Sequence, residues 1–178
     1  MNLQVPESVT FEDAIALTQS LLDSMSAGEL EDRKIQAAIT SLVKTENGAR
    51  GFFVTYLTDD RTLADNPSPG AIEALKSSPE IVDELLVKNL AMSSAMEITH
   101  RRNNDEESAK GSDKVRQRTA YLIKQLRSDF ITNKLKELSE SAATGEGEYQ
   151  AFLKRWGYDE EQKQVIQKAI SDVLITTG

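Results

Sequence analysis

The sequence predicts an all-α protein, a single-domain bundle of seven or eight mostly short helices. Apolar residues recur at steps of three and four through most of the 178 residues, which is the spacing of amphipathic helices. Helix-capping residues and Ser-Pro pairs precede several of these stretches. A lone strand-like segment would leave its backbone groups unpaired, so no sheet is expected. We therefore expect one helical domain over residues 1–178, with flexible loops near 58–70, 103–111 and 143–148.

The first part of the chain contains several helix start and stop signals. Thr10 is the expected N-cap of the first helix, and residues 26–29 form a capping-box pattern that opens the second. The Asn-Gly pair at 47–48 is expected to end that helix. Residues 51–57 combine β-branched and aromatic side chains, so a strand stays open there, although we favour one or two helical turns. The Ser-Pro pair at 68–69 opens a short helix.

The second part of the chain is predicted to contain the longer helices. The Ser-Pro pair at 78–79 opens the longest one, which is expected to run to about residue 101. The later helices are expected to begin at Ser112, Ser128, residue 148 and Asp159. Gly157 ends the short helix that begins at residue 148.

The residue types that are missing exclude several chemistries. Cysteine is absent, which excludes disulfides, thiolate nucleophiles and zinc–thiolate sites, and the single histidine, His100, excludes a His-rich metal site. We identify no catalytic residue, no metal ligands and no cofactor, and we favour a non-enzymatic protein. No apolar run approaches the ~18 residues of a membrane-spanning helix, and the N-terminus lacks a secretory pattern. A cytoplasmic protein is expected.

Charge is distributed unevenly along the chain. The net charge is −8, which disfavours nucleic-acid binding because such binding depends on neutralising phosphates. Residues 1–99 carry 7 Lys or Arg against 16 Asp or Glu, and residues 128–178 carry 6 against 9. Residues 100–127 carry 8 against 4 and are the exception. This basic segment is the expected contact surface for a protein partner.

Most of the candidate partner-binding residues lie on this segment. Arg101 and Arg102 end the longest helix, and Lys114 and Arg118 lie on the next one. A guanidinium group matches the geometry of carboxylates and phosphates, although cations at a helix C-terminus also have a purely structural explanation. Arg50, between two glycines, is a further candidate for a ligand contact, although a tight turn explains the glycines equally well.

An alternative function is a small-molecule or anion-binding protein, which could be an enzyme, with a pocket around His100. At about 100° per residue, Asn89, Ser93 and His100 share the stripe of the longest helix that should face the core. Buried polar groups need partners. These side chains therefore either line a pocket or form an internal hydrogen-bond network, and the network is the commoner arrangement.

Three stretches of the chain resemble a conserved family of uncharacterised cyanobacterial proteins. They are GFFVTYL at 51–57 with LADNPSP at 63–69, LLVKNLAM at 85–92 with HRRN at 100–103, and YQAFLKRWGY at 149–158. The resemblance implies a cyanobacterial source and brings no activity, cofactor or functional residue with it.

We therefore expect a helical protein-interaction or regulatory module that uses the basic surface on residues 100–127. Its partner is expected to be another protein or a second copy of the chain, and a homodimer or a small bound anion stays open.

Overall fold

The computed structural model describes residues 3–177, with side chains described as far as residue 174. It contains nine α-helices and no strand over these residues, so the predicted all-α fold is confirmed, with one or two more helices than predicted. The helices are α1 (Phe11–Ser26), α2 (Asp32–Leu42), α3 (Glu46–Thr58), α4 (Pro69–Leu75), α5 (Pro79–Arg102), α6 (Glu106–Leu126), α7 (Asp129–Thr144), α8 (Gln150–Trp156) and α9 (Glu160–Thr177).

The chain divides into two compact units, Met1–Leu85 and Leu86–Gly178. The assignment of the whole chain to one domain stays a prediction. None of the helices in the described part of the chain is both long enough and apolar enough to cross a membrane.

Three of the predicted helix starts are confirmed by a capping hydrogen bond. The hydroxyl groups of Thr10, Ser68 and Ser128 each accept a hydrogen bond from the backbone N–H three residues further on, at 3.0, 3.1 and 3.2 Å. Such a bond satisfies one of the amides that a helix start leaves without a partner. Residues 51–57 lie within α3, so the helical interpretation of that segment is confirmed.

The predicted boundaries of the second helix are wrong. Ser26 ends α1, and Gly28 then adopts a left-handed conformation with φ of 71°, so α2 begins only at Asp32. The Asn-Gly pair at 47–48 lies inside the first turn of α3, because the hydroxyl of Thr45 caps that helix by accepting from Gly48 N at 3.1 Å. The capping-box residues 26–29 instead lie at the end of α1, and the Asn-Gly pair instead lies at the start of α3.

Helix α6 begins at Glu106 and not after Ser112, as the sequence had indicated. The carboxylate of Asp105 accepts a hydrogen bond from Ser108 N at 3.1 Å and so caps the helix. The preceding residue, Asn104, turns the chain with φ of 59°. The predicted loop at 103–111 is therefore only three residues long, and Gly111 lies within the helix.

In the first unit, α1 packs against α3 and α2 packs against α4. The close approach of α1 and α3 depends on Gly51, where a Cβ atom would lie 2.4 Å from the Cβ of Ala14 and 2.8 Å from the carbonyl oxygen of Phe11. The rings of Phe52 and Tyr56 stack with centroids 5.0 Å apart and are fully buried. Glycine at this position thus allows two helices to enclose an aromatic core.

In the second unit, α9 packs against both α6 and α7, and α8 packs against α7. The buried aliphatic side chains of this unit include Leu122 on α6, Leu138 on α7, and Ile166 and Ile170 on α9. Burial of such side chains is the main stabilising contribution in a helical unit of this kind. The packing leaves one face of α6 accessible to solvent.

Candidate interaction surface

The two arginines at the end of α5 are paired with carboxylates of the same chain. Arg101 lies 2.7 Å from Glu97, and Arg102 lies 2.5 Å from Asp159 and 3.5 Å from Glu161. The hydrogen bond with Asp159 raises the pKa of the Arg102 guanidinium, and the same contact lowers the pKa of the Asp159 carboxyl group. These two arginines are therefore matched cations and not an unpaired positive patch.

A buried glutamine positions Asp159 beside α5. Gln162 N donates to the carboxylate of Asp159 at 3.0 Å, and Asp159 N donates to the side-chain oxygen of Gln162 at 3.1 Å, which is a reciprocal helix cap. The side-chain nitrogen of Gln162 also donates to the carbonyl oxygen of Ala95 at 3.1 Å and to the hydroxyl of Thr99 at 2.9 Å. Gln162 thereby ties the start of α9 to the last turns of α5.

Several basic residues of α6 are also engaged within the protein. Arg116 forms an ion pair with Asp113 and lies 3.7 Å from Glu97. Arg118 is buried, with 3% of its surface exposed, and Lys114 is half-buried. Neither of these two is an unpaired cation. The predicted basic segment is therefore not one continuous cationic surface.

The remaining candidates from the sequence are Asn89, His100 and Arg50. Asn89 and His100 are half-buried on α5, and neither lines the two clefts beside α6. The hydroxyl of Ser93 donates to the backbone carbonyl of Asn89 at 2.7 Å, so a local partner satisfies this buried group. Arg50 belongs to the first unit, where its guanidinium lies 5.2 Å from the ring centre of Phe11 in a cation–π contact.

Two adjoining clefts of the second unit form a groove along α6. The larger cleft has a volume of about 420 Å³ and lies between the end of α6, the start of α7 and α9. The smaller has a volume of about 220 Å³ and lies between α5, α6 and α9. Both are lined by Lys124 and Val173, so they lie side by side along α6. We call this feature the α6 groove. Its lining includes residues of α6 between Arg116 and Gln125, Arg127 just after that helix, and Leu90, Ile131, Leu135, Ala169 and Val173.

The base of the α6 groove is apolar but already well packed. Leu90 and Val173 are each 1% exposed, as are Ile131 and Leu135. The apolar surface that a partner could cover comes instead from the half-buried Ala120 and from the larger side chains at the rim. This coverable apolar surface is therefore small.

The rim of the α6 groove carries an exposed ring and two cations. Tyr121 is 43% exposed and lines the smaller cleft. Lys124 and Arg127 line the larger cleft, and neither forms an ion pair with a residue that the structure describes. Exposed large hydrophobic side chains beside unpaired cations are typical of a contact surface.

The sequence interpretation missed the exposed ring of Tyr121. It included Lys124 and Arg127 in the basic segment 100–127 but did not select them as candidates. The spacing of Gln117, Tyr121 and Lys124, at i, i+4 and i+7, was the available signal, because such residues share one face of a helix.

These features define an all-helical protein whose second unit carries a grooved and partly cationic surface. The chain belongs to the family described as "Uncharacterised conserved protein UCP020893", whose family model matches residues 10–173. The predicted membership of a conserved, uncharacterised family is thus confirmed, while the cyanobacterial source stays a prediction. Comparison with curated proteins gave no match, and comparison with solved structures gave none either.

Proposed function

We propose that the protein is a non-enzymatic, cytoplasmic interaction module that binds an acidic segment of another protein at the α6 groove. The observation that carries the proposal is the contrast among the basic residues of 100–127. Arg101, Arg102 and Arg116 are held by carboxylates of the same chain, whereas Lys124 and Arg127 have no such partner among the described residues. Those two cations therefore retain the capacity to pair with carboxylates of a partner.

The surroundings of the two cations support protein binding. Tyr and Arg are enriched among the residues that contribute most to protein–protein affinity, and Tyr121 and Arg127 are both accessible here. A rim charge pair contributes little by itself, about 0.2–1 kcal/mol. Binding at this surface therefore requires the ring contacts and the charge contacts together.

The proposal can be tested by quantitative capture of proteins from a lysate of the source organism. The double variant Lys124→Glu/Arg127→Glu is compared with the wild type and with Lys110→Glu/Lys136→Glu. The control reverses two exposed lysines outside the groove and so changes the net charge equally. We expect at least one protein whose recovery is about tenfold lower with the first variant and unchanged with the control.

A photo-crosslinking amino acid at position 121 then identifies the contact directly. We expect the crosslinked peptide to come from a segment rich in Asp and Glu. Identical recovery with all three proteins, or an equal loss with the control variant, would show that the α6 groove is not the binding surface.

A further inference from the structure

We infer that the segment bound at the α6 groove is an amphipathic helix with carboxylates in its first turn, lying antiparallel to α6. This inference rests on the proposed function and specifies its partner. The groove follows α6 from Arg116 to Arg127, a distance of about 17 Å at 1.5 Å per residue. It therefore accommodates about three turns of a second helix.

The chemistry of the groove favours a helix over an extended segment. An extended peptide usually gains affinity by pairing its backbone with the edge of a sheet. The groove is lined by helices and offers no sheet edge among the described residues, so an extended partner would have no strand to pair with. A helix satisfies its backbone internally and presents only side chains.

The shape of the groove suits the approach of a helix at its centre. Ala120 and Ala169 face the smaller cleft, and their short side chains allow a partner helix to approach closely. Tyr121 stands beside them and offers a ring to apolar side chains spaced at i, i+4 and i+7. The contact is short, which predicts a weak and transient complex.

The charges of the groove determine the direction of the partner. At the end nearer the start of α6, Arg116 is paired with Asp113, and Asp172 is paired with Lys168 at 3.3 Å. At the other end, Lys124 and Arg127 are available to carboxylates.

Carboxylates are most stable in the first turn of a helix, near the positive end of its dipole. Asp129 also lines this end of the groove, but it occupies the first turn of α7, where the dipole of that helix compensates its charge. The first turn of the partner therefore lies at Lys124 and Arg127, and its chain runs antiparallel to α6.

A display library of random 16-residue peptides, selected against the full-length protein, tests this inference. Selected sequences should carry Asp or Glu in their first turn and apolar residues at i, i+4 and i+7. We expect Lys124→Glu/Arg127→Glu to weaken the binding of the best peptide at least tenfold, measured by fluorescence polarisation. Lys110→Glu/Lys136→Glu should leave it unchanged.

The variant Ala120→Trp tests whether the partner occupies the groove, since it fills the groove and changes no charge. We expect at least tenfold weaker peptide binding with unchanged circular dichroism. If Ala120→Trp unfolds the protein, Gln117→Trp, an exposed position in the same cleft, takes its place.

The outcomes distinguish the two proposals. If charge reversal removes the captured protein and Ala120→Trp weakens its recovery, but the selected peptides are extended or absent, the inference is overturned and the proposed function stands. If Ala120→Trp has no effect on the captured protein or on the peptide, the partner does not occupy the groove and both are overturned. If charge reversal has no effect in either assay, both are overturned. A concentration-dependent dimer of the wild type that is lost in Ala120→Trp would replace the partner helix by a second copy of the chain.

Discussion

Replacing Gln162 by alanine should destabilise the second unit, because this side chain links α9 to α5. Gln162 is 6% exposed and its side-chain nitrogen donates to Ala95 and Thr99. Each of these two hydrogen bonds contributes about 1 kcal/mol to the free energy of unfolding. The third bond, from Asp159 N, is made at a helix start where water can replace the lost acceptor. We therefore expect Gln162→Ala to lower the free energy of unfolding by about 2 kcal/mol.

Urea denaturation followed by tryptophan fluorescence measures this change. Trp156 is the single tryptophan of the chain and lies on α8, so its emission reports on the second unit. The control variant is Gln164→Ala, an exposed position on the same helix, which should change the free energy of unfolding by less than about 0.5 kcal/mol.

The variant Gln162→Glu tests the role of the donor group. It keeps an acceptor for Asp159 N but places a carboxylate beside the carbonyl oxygen of Ala95. We expect it to be less stable than Gln162→Ala at neutral pH and to recover as the pH falls and the carboxyl group becomes a donor. If Gln162→Ala is as stable as Gln164→Ala, the hydrogen bonds of Gln162 do not hold α9 against α5. Another contact would then have to explain why Asp159 lies beside Arg102.

Two further predictions concern packing and pH. Gly51→Ala should destabilise the first unit by about 2 kcal/mol, because the added methyl group meets Ala14 and the backbone of Phe11. Gly111→Ala, which has open space around the added methyl group, should instead stabilise the second unit by about 0.5–1 kcal/mol. Thermal unfolding followed by far-ultraviolet circular dichroism shows whether each variant unfolds at a lower or a higher temperature than the wild type. The hydrogen bond with Arg102 lowers the pKa of the Asp159 carboxyl group below its ordinary value. The ionised carboxylate therefore stabilises the folded state at pH values above the ordinary pKa. This stabilisation is lost as the pH falls through the lowered pKa. Urea midpoints between pH 2 and pH 6 should therefore fall less steeply in Asp159→Asn than in the wild type.

The parts of the fold that depend on residues close together in the sequence could be predicted from it. Thr10, Ser68 and Ser128 cap their helices through bonds to amides three residues away, and that geometry is encoded locally. The start of α6 was missed because two signals compete within a few residues. The carboxylate of Asp105 satisfies the early amides, so Ser112 has no capping role to fill.

The pairing of the basic residues could not be predicted in this way. Arg102 and Asp159 are separated by 57 positions, and they meet only because α9 is tied to α5. The burial of Arg118 likewise follows from packing, since the sequence places it eight residues after the exposed Lys110 on the same stripe of α6. A count of charges thus identified the correct segment of the chain but could not separate paired cations from unpaired ones.

The charge of the whole chain also limits how the α6 groove can work. The first unit carries 6 Lys or Arg against 15 Asp or Glu, and the second carries 15 against 14, so the protein offers no long-range attraction to an acidic partner. At physiological salt, charges more than about 8 Å apart are largely screened. Lys124 and Arg127 therefore act only once a carboxylate is in contact with them. Recognition must then depend on the short-range fit beside Tyr121, which selects an acidic helix of matching shape over acidic segments in general.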